Sequence, residues 1–203
     1  MTWRGILTLA LALTQPLHAS VAGELQPYKG TATTPPLELA DLSGREHRLS
    51  DYRGQVVLVN FWASWCPPCL AEMPSMQRLA TLLKEKPFRI LAVNVEQSKS
   101  TVWRFTKLLE IEFTTLLDSA GETAKAWAIE TYPTSYLIDS EGRIRYMIRG
   151  ALEWDSLETQ EVIKSLLPET SVDEHPPAQQ IVGAGPAVNS NRNVSAYGTL
   201  SAH

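Results

Sequence analysis

Cysteine is scarce in this chain of 203 residues, which holds only Cys66 and Cys69. Two thiols exclude a scaffold stapled by several disulfides, and a chain this long can bury a core without staples. Histidine is scarce too: outside the N-terminal segment and the extreme tail there are only His47 and His175. Zinc takes four ligands, so the cysteine pair does not read as half of a zinc site, and no metal is expected. Positive charge is not in surplus. Lys and Arg number 18 against 22 Asp and Glu, a net charge of −4, which leaves no basic footprint for nucleic acid. Glycine-rich phosphate loops are missing as well. "GAGPAV" (183–188) lacks the third glycine and the preceding strand of a dinucleotide fingerprint, and nothing else suggests a flavin or nicotinamide. No cofactor is expected, so electrons should arrive from a partner protein.

The remaining composition is that of an ordinary globular protein, with 44% hydrophobic and 20% charged residues, and the length suits one domain with extensions. The N-terminus reads as a secretory signal peptide over residues 1–22. Arg4 is followed by the apolar run "ILTLALALT" (6–14), Pro16 breaks any helix, and "SVA" (20–22) puts small residues before a cleavage point. Cleavage after Ala19 is the alternative. The apolar run is far shorter than the roughly 20 residues a membrane span needs, and no later segment is long and apolar enough. No cysteine follows the run, which excludes lipidation there. The expected location is periplasmic or otherwise exported. Residues 23–34 read as a linker, 35–167 as the folded domain and 168–203 as a disordered tail, whose last stretch (176–203) carries Arg192 as its one formal charge.

Outside the cytosol a close cysteine pair meets oxidants. With no other cysteine in the chain, an internal disulfide is Cys66–Cys69. Closing so short a loop removes little entropy from the unfolded chain, which argues against a structural staple. The flanks place the pair. "QVVLVNFW" (55–62) is an apolar, β-branched run suited to a buried central strand. Pro67 and Pro68 suit a helix's first turn, where no intrahelical N–H bond is lost. Leu70, Met73, Met76, Leu79, Leu82 and Leu83 follow at helical spacing, with Pro74 expected to kink the helix. Cys66 thus falls at a helix N-terminus, which favours a thiolate, and Cys69 lies one turn inside, more buried and less ionised. An exposed attacking thiolate followed by a resolving thiol is the chemistry of a dithiol–disulfide switch.

Further along, "FRILAVNVE" (88–96) reads as a second buried strand, "TVWRFTKLLE" (101–110) as a helix, "FTTLL" (113–117) as a short strand and "GETAKAWAI" (121–129) as a helix. "PTSYLID" and "GRIRYMIRG" read as an antiparallel hairpin with Gly142 in the turn. "WDSLETQEVIKSLL" (154–167) closes the domain as a helix, with Leu157, Val162, Ile163, Leu166 and Leu167 available for its inner face. Upstream, a small hairpin is expected to turn at Ser43–Gly44.

A strand, W-C-x-x-C, a proline-bearing helix and a later x-Pro-Thr opening a strand together resemble the thioredoxin fold. The likeness is to its TlpA/ResA-like branch of exported thiol-disulfide oxidoreductases, over about residues 35–167. "NFWASWCPPCLAEMP" puts Asn60 where thioredoxins have a buried Asp, and Glu72 stands where this branch carries an acid beside the active site. The 36 residues between Glu96 and Pro133 leave room for an extra helix and strand. The resemblance implies an α/β fold: a central mixed sheet flanked by helices, with an N-terminal hairpin and a helix–strand insert. It implies that Cys66 attacks, that Cys69 resolves, and that Pro133 is a cis-proline facing the dithiol after Tyr132. A turn proline before a strand is the plainer alternative. Trp65, Pro67, Pro68, Tyr132, Pro133 and Thr134 are then candidate substrate contacts.

On an ideal helix Glu72 lies on the face of Cys69, one turn on. Partly buried there, it would have a raised pKa and could exchange a proton with Cys69; a solvated acid favoured by the macrodipole is the alternative. Members of this branch keep particular exported thiols reduced, including those of apocytochrome c and of copper-site proteins. The expected partners are therefore protein substrates with disulfides or thiols and a membrane-bound electron donor, with the chain itself a monomer. A copper-binding chaperone using the two thiolates is the alternative function, although chaperones of this fold carry C-x-x-x-C and a distal His. A peroxidase fits less well, because "ASW" rather than Thr-x-x precedes Cys66.

Overall fold

The computed structural model describes residues 23–30 and 33–168. The signal-peptide reading and the tail beyond residue 168 lie outside the described residues. The elements run β1 (Gln26–Pro27), β2 (Glu38–Ala40), β3 (Glu46–Arg48), a 3-10 turn (Leu49–Tyr52), β4 (Val56–Trp62), α1 (Pro67–Leu82), β5 (Phe88–Val95), α2 (Lys99–Leu108), β6 (Thr114–Asp118), α3 (Glu122–Ala126), β7 (Thr134–Ile138), β8 (Ile144–Arg149) and α4 (Leu157–Leu166).

One mixed sheet has the order β1-β8-β7-β4-β5-β6. β4, β5 and β6 are parallel, whereas β7 and β8 add antiparallel on the other side of β4. Every residue of β4 is buried, because helices cover both faces of a central strand whose side chains alternate between them. Val57, Val59 and Phe61 face a core shared with Trp127 and Tyr136. Val56 and Leu58 face Met76, Leu79, Trp154 and Ile163. Asn60 lies on that second face, beneath α1 and with no solvent exposure.

Both expected turns form. In the β2–β3 hairpin, Asp41 Oδ1 accepts from Ser43 N and Arg45 N, and Gly44 takes a φ of +93°. Between β7 and β8, Asp139 Oδ1 accepts from Glu141 N and Arg143 N, and Gly142 takes a φ of +76°. Side-chain acceptors that mimic a backbone turn suit Asp at these positions, and glycine supplies the left-handed residue. The insert between β5 and β7 is α2, β6 and α3, with β6 at the sheet edge.

Four expectations are corrected. Residues 26–27, assigned to a linker, form β1 and pair with Met147 and Tyr146 of β8; Pro27, which has no N–H, is tolerated on such an edge. Leu82 is 59% exposed and Leu157 is 79% exposed. Leu157 occupies the first position of α4 after the Ser156 cap, about 120° around the helix from buried Ile163, so it points away from the sheet. The inward face of α1 instead includes Glu72 and Ser75, two polar residues. Finally, α2 begins at Lys99, because the Ser98 hydroxyl caps it by accepting from Thr101 N.

Candidate active site

β4 ends at Trp62, and the chain turns through Ala63, Ser64 and Trp65 to reach α1. Cys66 N donates to Ala63 O at 3.2 Å within this turn. Cys66 is the N-cap of α1, in an extended conformation, with Pro67 and Pro68 filling the first positions as their missing N–H groups allow. Its Sγ accepts a hydrogen bond from Cys69 N at 3.3 Å, and Cys66 and Cys69 are joined by a disulfide. The two prolines remove two donors at the helix start, but the Cys69 amide is aimed at Cys66 sulfur and complements the positive end of the helix dipole.

The expectation of an exposed Cys66 is corrected. In the disulfide form Cys66 is 4% exposed and Cys69 fully covered. Both sit in one apolar cluster with Trp62, Ala63 and Met73, against which Tyr132 packs. Trp65, by contrast, is 66% exposed and meets Tyr132 edge-on at 5.6 Å. Pro67 and Pro68 are exposed beside it. The Tyr132–Pro133 bond is cis, as the family resemblance implies. Pro133 and Thr134 are buried, and their polar groups serve the fold: Pro133 O accepts from Gly150 N, and Thr134 Oγ1 donates to Thr131 O. Trp65, Pro67 and Pro68 thus lie at the surface, Tyr132 is half-buried against Trp65, and Pro133 and Thr134 are buried.

Glu72 is only 3% exposed. Asn60 Nδ2 donates to its Oε1 at 2.8 Å, while Leu152 N at 3.1 Å and Trp154 Nε1 at 2.9 Å donate to its Oε2. Burial pushes its carboxyl up to about 7, and the donors from Trp154, Leu152 and Asn60 oppose that rise without cancelling it. The solvated-acid alternative is therefore excluded. Asn60 also donates to Ser135 Oγ on β7, and Ser75 Oγ accepts from Trp154 N, so two of the carboxyl's donors are themselves held in place. Sequence reasoning took Asn60 only as a substitute for a titrating residue and missed Trp154. A lone Asn in a buried apolar strand was the available signal for Asn60; nothing local flags Trp154.

Residues 31–147 match the AhpC/TSA family. Over 147 residues the chain is 37% identical to the thiol-disulfide oxidoreductase ResA of Geobacillus thermodenitrificans, spanning 72% of this chain and 84% of the relative. The chain belongs to the ResA-like thiol-disulfide oxidoreductases. The ResA of Bacillus subtilis is 31% identical over 147 residues, covering 72% of this chain and 82% of its own. Among solved structures, the thiol:disulfide interchange protein DsbE from Chlorobium tepidum superposes with a TM-score of 0.63 at 31% identity, over 70% of this chain and all of that one. As a ResA-like protein, this one is a thioredoxin-fold thiol-disulfide oxidoreductase with Cys66 and Cys69 as its redox pair. The copper-chaperone alternative is not supported. Among the described residues no group of three or more His, Cys, Asp or Glu could hold a metal, and His47 is engaged by Asp41 and Tyr52. Among the described residues no helix is long and apolar enough to cross a membrane.

Proposed function

We propose that this oxidoreductase is an exported reductant of protein disulfides, with Cys66 attacking, Cys69 resolving and Glu72 exchanging the proton. The observation that carries the reading is a disulfide-forming cysteine pair at the N-terminus of α1 with a buried carboxyl one turn along the same helix. In the reduced protein the Cys66 thiolate attacks one sulfur of a substrate disulfide. The substrate S–S bond breaks, a Cys66–substrate bond forms, and one substrate thiolate leaves. Cys69 then gives its proton to the Glu72 carboxylate, and its sulfur attacks Cys66 Sγ. The mixed disulfide breaks, the Cys66–Cys69 bond forms, and the second substrate thiolate leaves, so two electrons have passed to the substrate. A carboxyl that titrates near 7 is suited to accept and release that proton at neutral pH.

Trp65, Pro67, Pro68 and Tyr132 are the surface on which an extended substrate segment rests, and Pro133 and Thr134 hold that surface in place. The N-terminal segment directs export, and a membrane-bound dithiol donor returns the protein to its reduced form. Substrates of the class handled by this family branch are disulfides whose thiols, once reduced, take up haem or copper, and the chain acts on them as a monomer. The helix start supports the reducing direction. The Cys69 amide stabilises a Cys66 thiolate and so favours the reduced form, but Pro67 and Pro68 withhold two further donors and no histidine lies between the cysteines. Equilibration of the purified protein with defined glutathione or dithiothreitol ratios tests this. A potential nearer about −270 mV than about −120 mV is expected. A value at the oxidising end would make the protein an oxidant and overturn reductive maturation.

A further inference from the structure

The turn that delivers Cys66 is held from outside by one side chain. Gln97 follows β5. Its Oε1 accepts from Ser64 N at 2.7 Å and from Asn94 Nδ2 at 2.9 Å, and its Nε2 donates to Ser64 Oγ at 2.7 Å. Two donors converging on Oε1 leave the amide a single sensible orientation. Asn94 is buried on β5 and stands opposite Trp62, the last residue of β4. The bonds therefore tie the end of β4, the turn and the end of β5 together. Glu96, just before Gln97, has a φ of +54°, uncommon for a residue other than glycine, and its N–H donates to Asp118 O of β6. This bend carries the chain out of β5 at the point where Gln97 reaches back to Ser64. Backbone in such a conformation clusters at functional sites.

We propose that Gln97 is a positioning residue: it clamps the Ala63–Trp65 turn and so sets the line along which Cys66 approaches a substrate disulfide and the seat of Trp65 at the surface. The proposal rests on the reading of Cys66 as the attacking thiol. Within the turn, the backbone bond from Cys66 to Ala63 fixes only the ends. Both the N–H and the hydroxyl of Ser64 are taken by Gln97. Attack on a disulfide needs the three sulfurs nearly in line, and displacement by about an ångström costs on the order of a hundredfold in rate. Alkylation of a thiolate by a small reagent places a looser demand on approach.

That difference separates positioning from ionisation. The reduced full chain and its Gln97→Leu and Gln97→Glu variants are reacted with iodoacetamide, the labelled cysteine being located by mass spectrometry, and separately with a peptide disulfide, both across pH. For Gln97→Leu the peptide-disulfide rate at the high-pH plateau should fall on the order of tenfold while iodoacetamide still labels Cys66 at its usual plateau rate. Glutamate retains an acceptor for Ser64 N and Asn94 Nδ2, and the Ser64 hydroxyl can turn to donate. Gln97→Glu should therefore keep the peptide-disulfide plateau, while its added negative charge moves the iodoacetamide profile to higher pH. An unchanged peptide-disulfide rate in Gln97→Leu, or an equal loss in Gln97→Glu, overturns the clamp. Labelling of Cys69 ahead of Cys66 in the unsubstituted chain would instead remove the reading beneath it.

Discussion

Replacing Glu72 by Gln removes one titration from the protein's interior and keeps the shape. Burial raises the wild-type carboxyl to about 7 in the fold, from an ordinary value of 4.5. The folded state therefore binds a proton more tightly than the unfolded chain, and wild-type stability falls as pH rises from the unfolded value to the folded one, then levels. That interval, at about 1.4 kcal/mol per unit, corresponds to an upper value of about 3 kcal/mol. Glutamine does not titrate. Its carbonyl can accept from Leu152 N and Trp154 Nε1 as Oε2 does now. Its amide would face Asn60, whose Oδ1 is buried without a partner among the described residues, and an amide flip of Asn60 turns that oxygen toward it. The packing thus survives. Urea unfolding of the oxidised wild type and variant at pH 5 and pH 8 is the assay. Relative to wild type, the variant should gain about 2.5 kcal/mol on going from the lower pH to the higher, less than the upper value because pH 5 already lies above the unfolded pKa. In the reduced protein, mixed disulfides should resolve more slowly, with the loss greatest near neutral pH. A stability difference that does not change with pH would mean that Glu72 is ionised throughout the range, and the argument from burial would be wrong.

Two further outcomes are expected. Cys69→Ala should accumulate a stable mixed disulfide between Cys66 and substrate, visible on non-reducing gels, whereas Cys66→Ala should not; the reverse pattern would exchange the two roles. Asp41 is held below the usual carboxylate range by hydrogen bonds from Ser43, His47 and Arg45 that outweigh the opposing effect of burial. A lowered value contributes stability above the unfolded pKa that is lost as pH falls, so Asp41→Asn should lower the melting temperature at neutral pH and cost progressively less below about pH 4. An equal cost at both ends of the range would assign the effect of Asp41 to shape alone.

Local physics made much of this protein legible in its sequence. An unbroken β-branched run is a central strand because only a strand covered on both faces tolerates it, and β4 is that strand. Two prolines after Cys66 mark a helix start because the first turn needs no N–H, and Cys66 caps α1 as a result. Turn glycines at 44 and 142 announced the two hairpins through the conformation they alone adopt at no steric cost. What depends on residues far apart in the chain was not legible. Helix geometry already placed Glu72 on the face of Cys69 with a raised pKa, but its partners, Asn60 twelve residues before it and Trp154 eighty-two after it, meet it only in the folded chain. The covering of Cys66, the outward turn of Leu157 and the reach of Gln97 to Ser64 likewise belong to packing between elements. Periodicity assigns a face to each helix, but which polar groups meet on that face is decided by the tertiary structure, since desolvation and hydrogen bonding act through space and not along the chain.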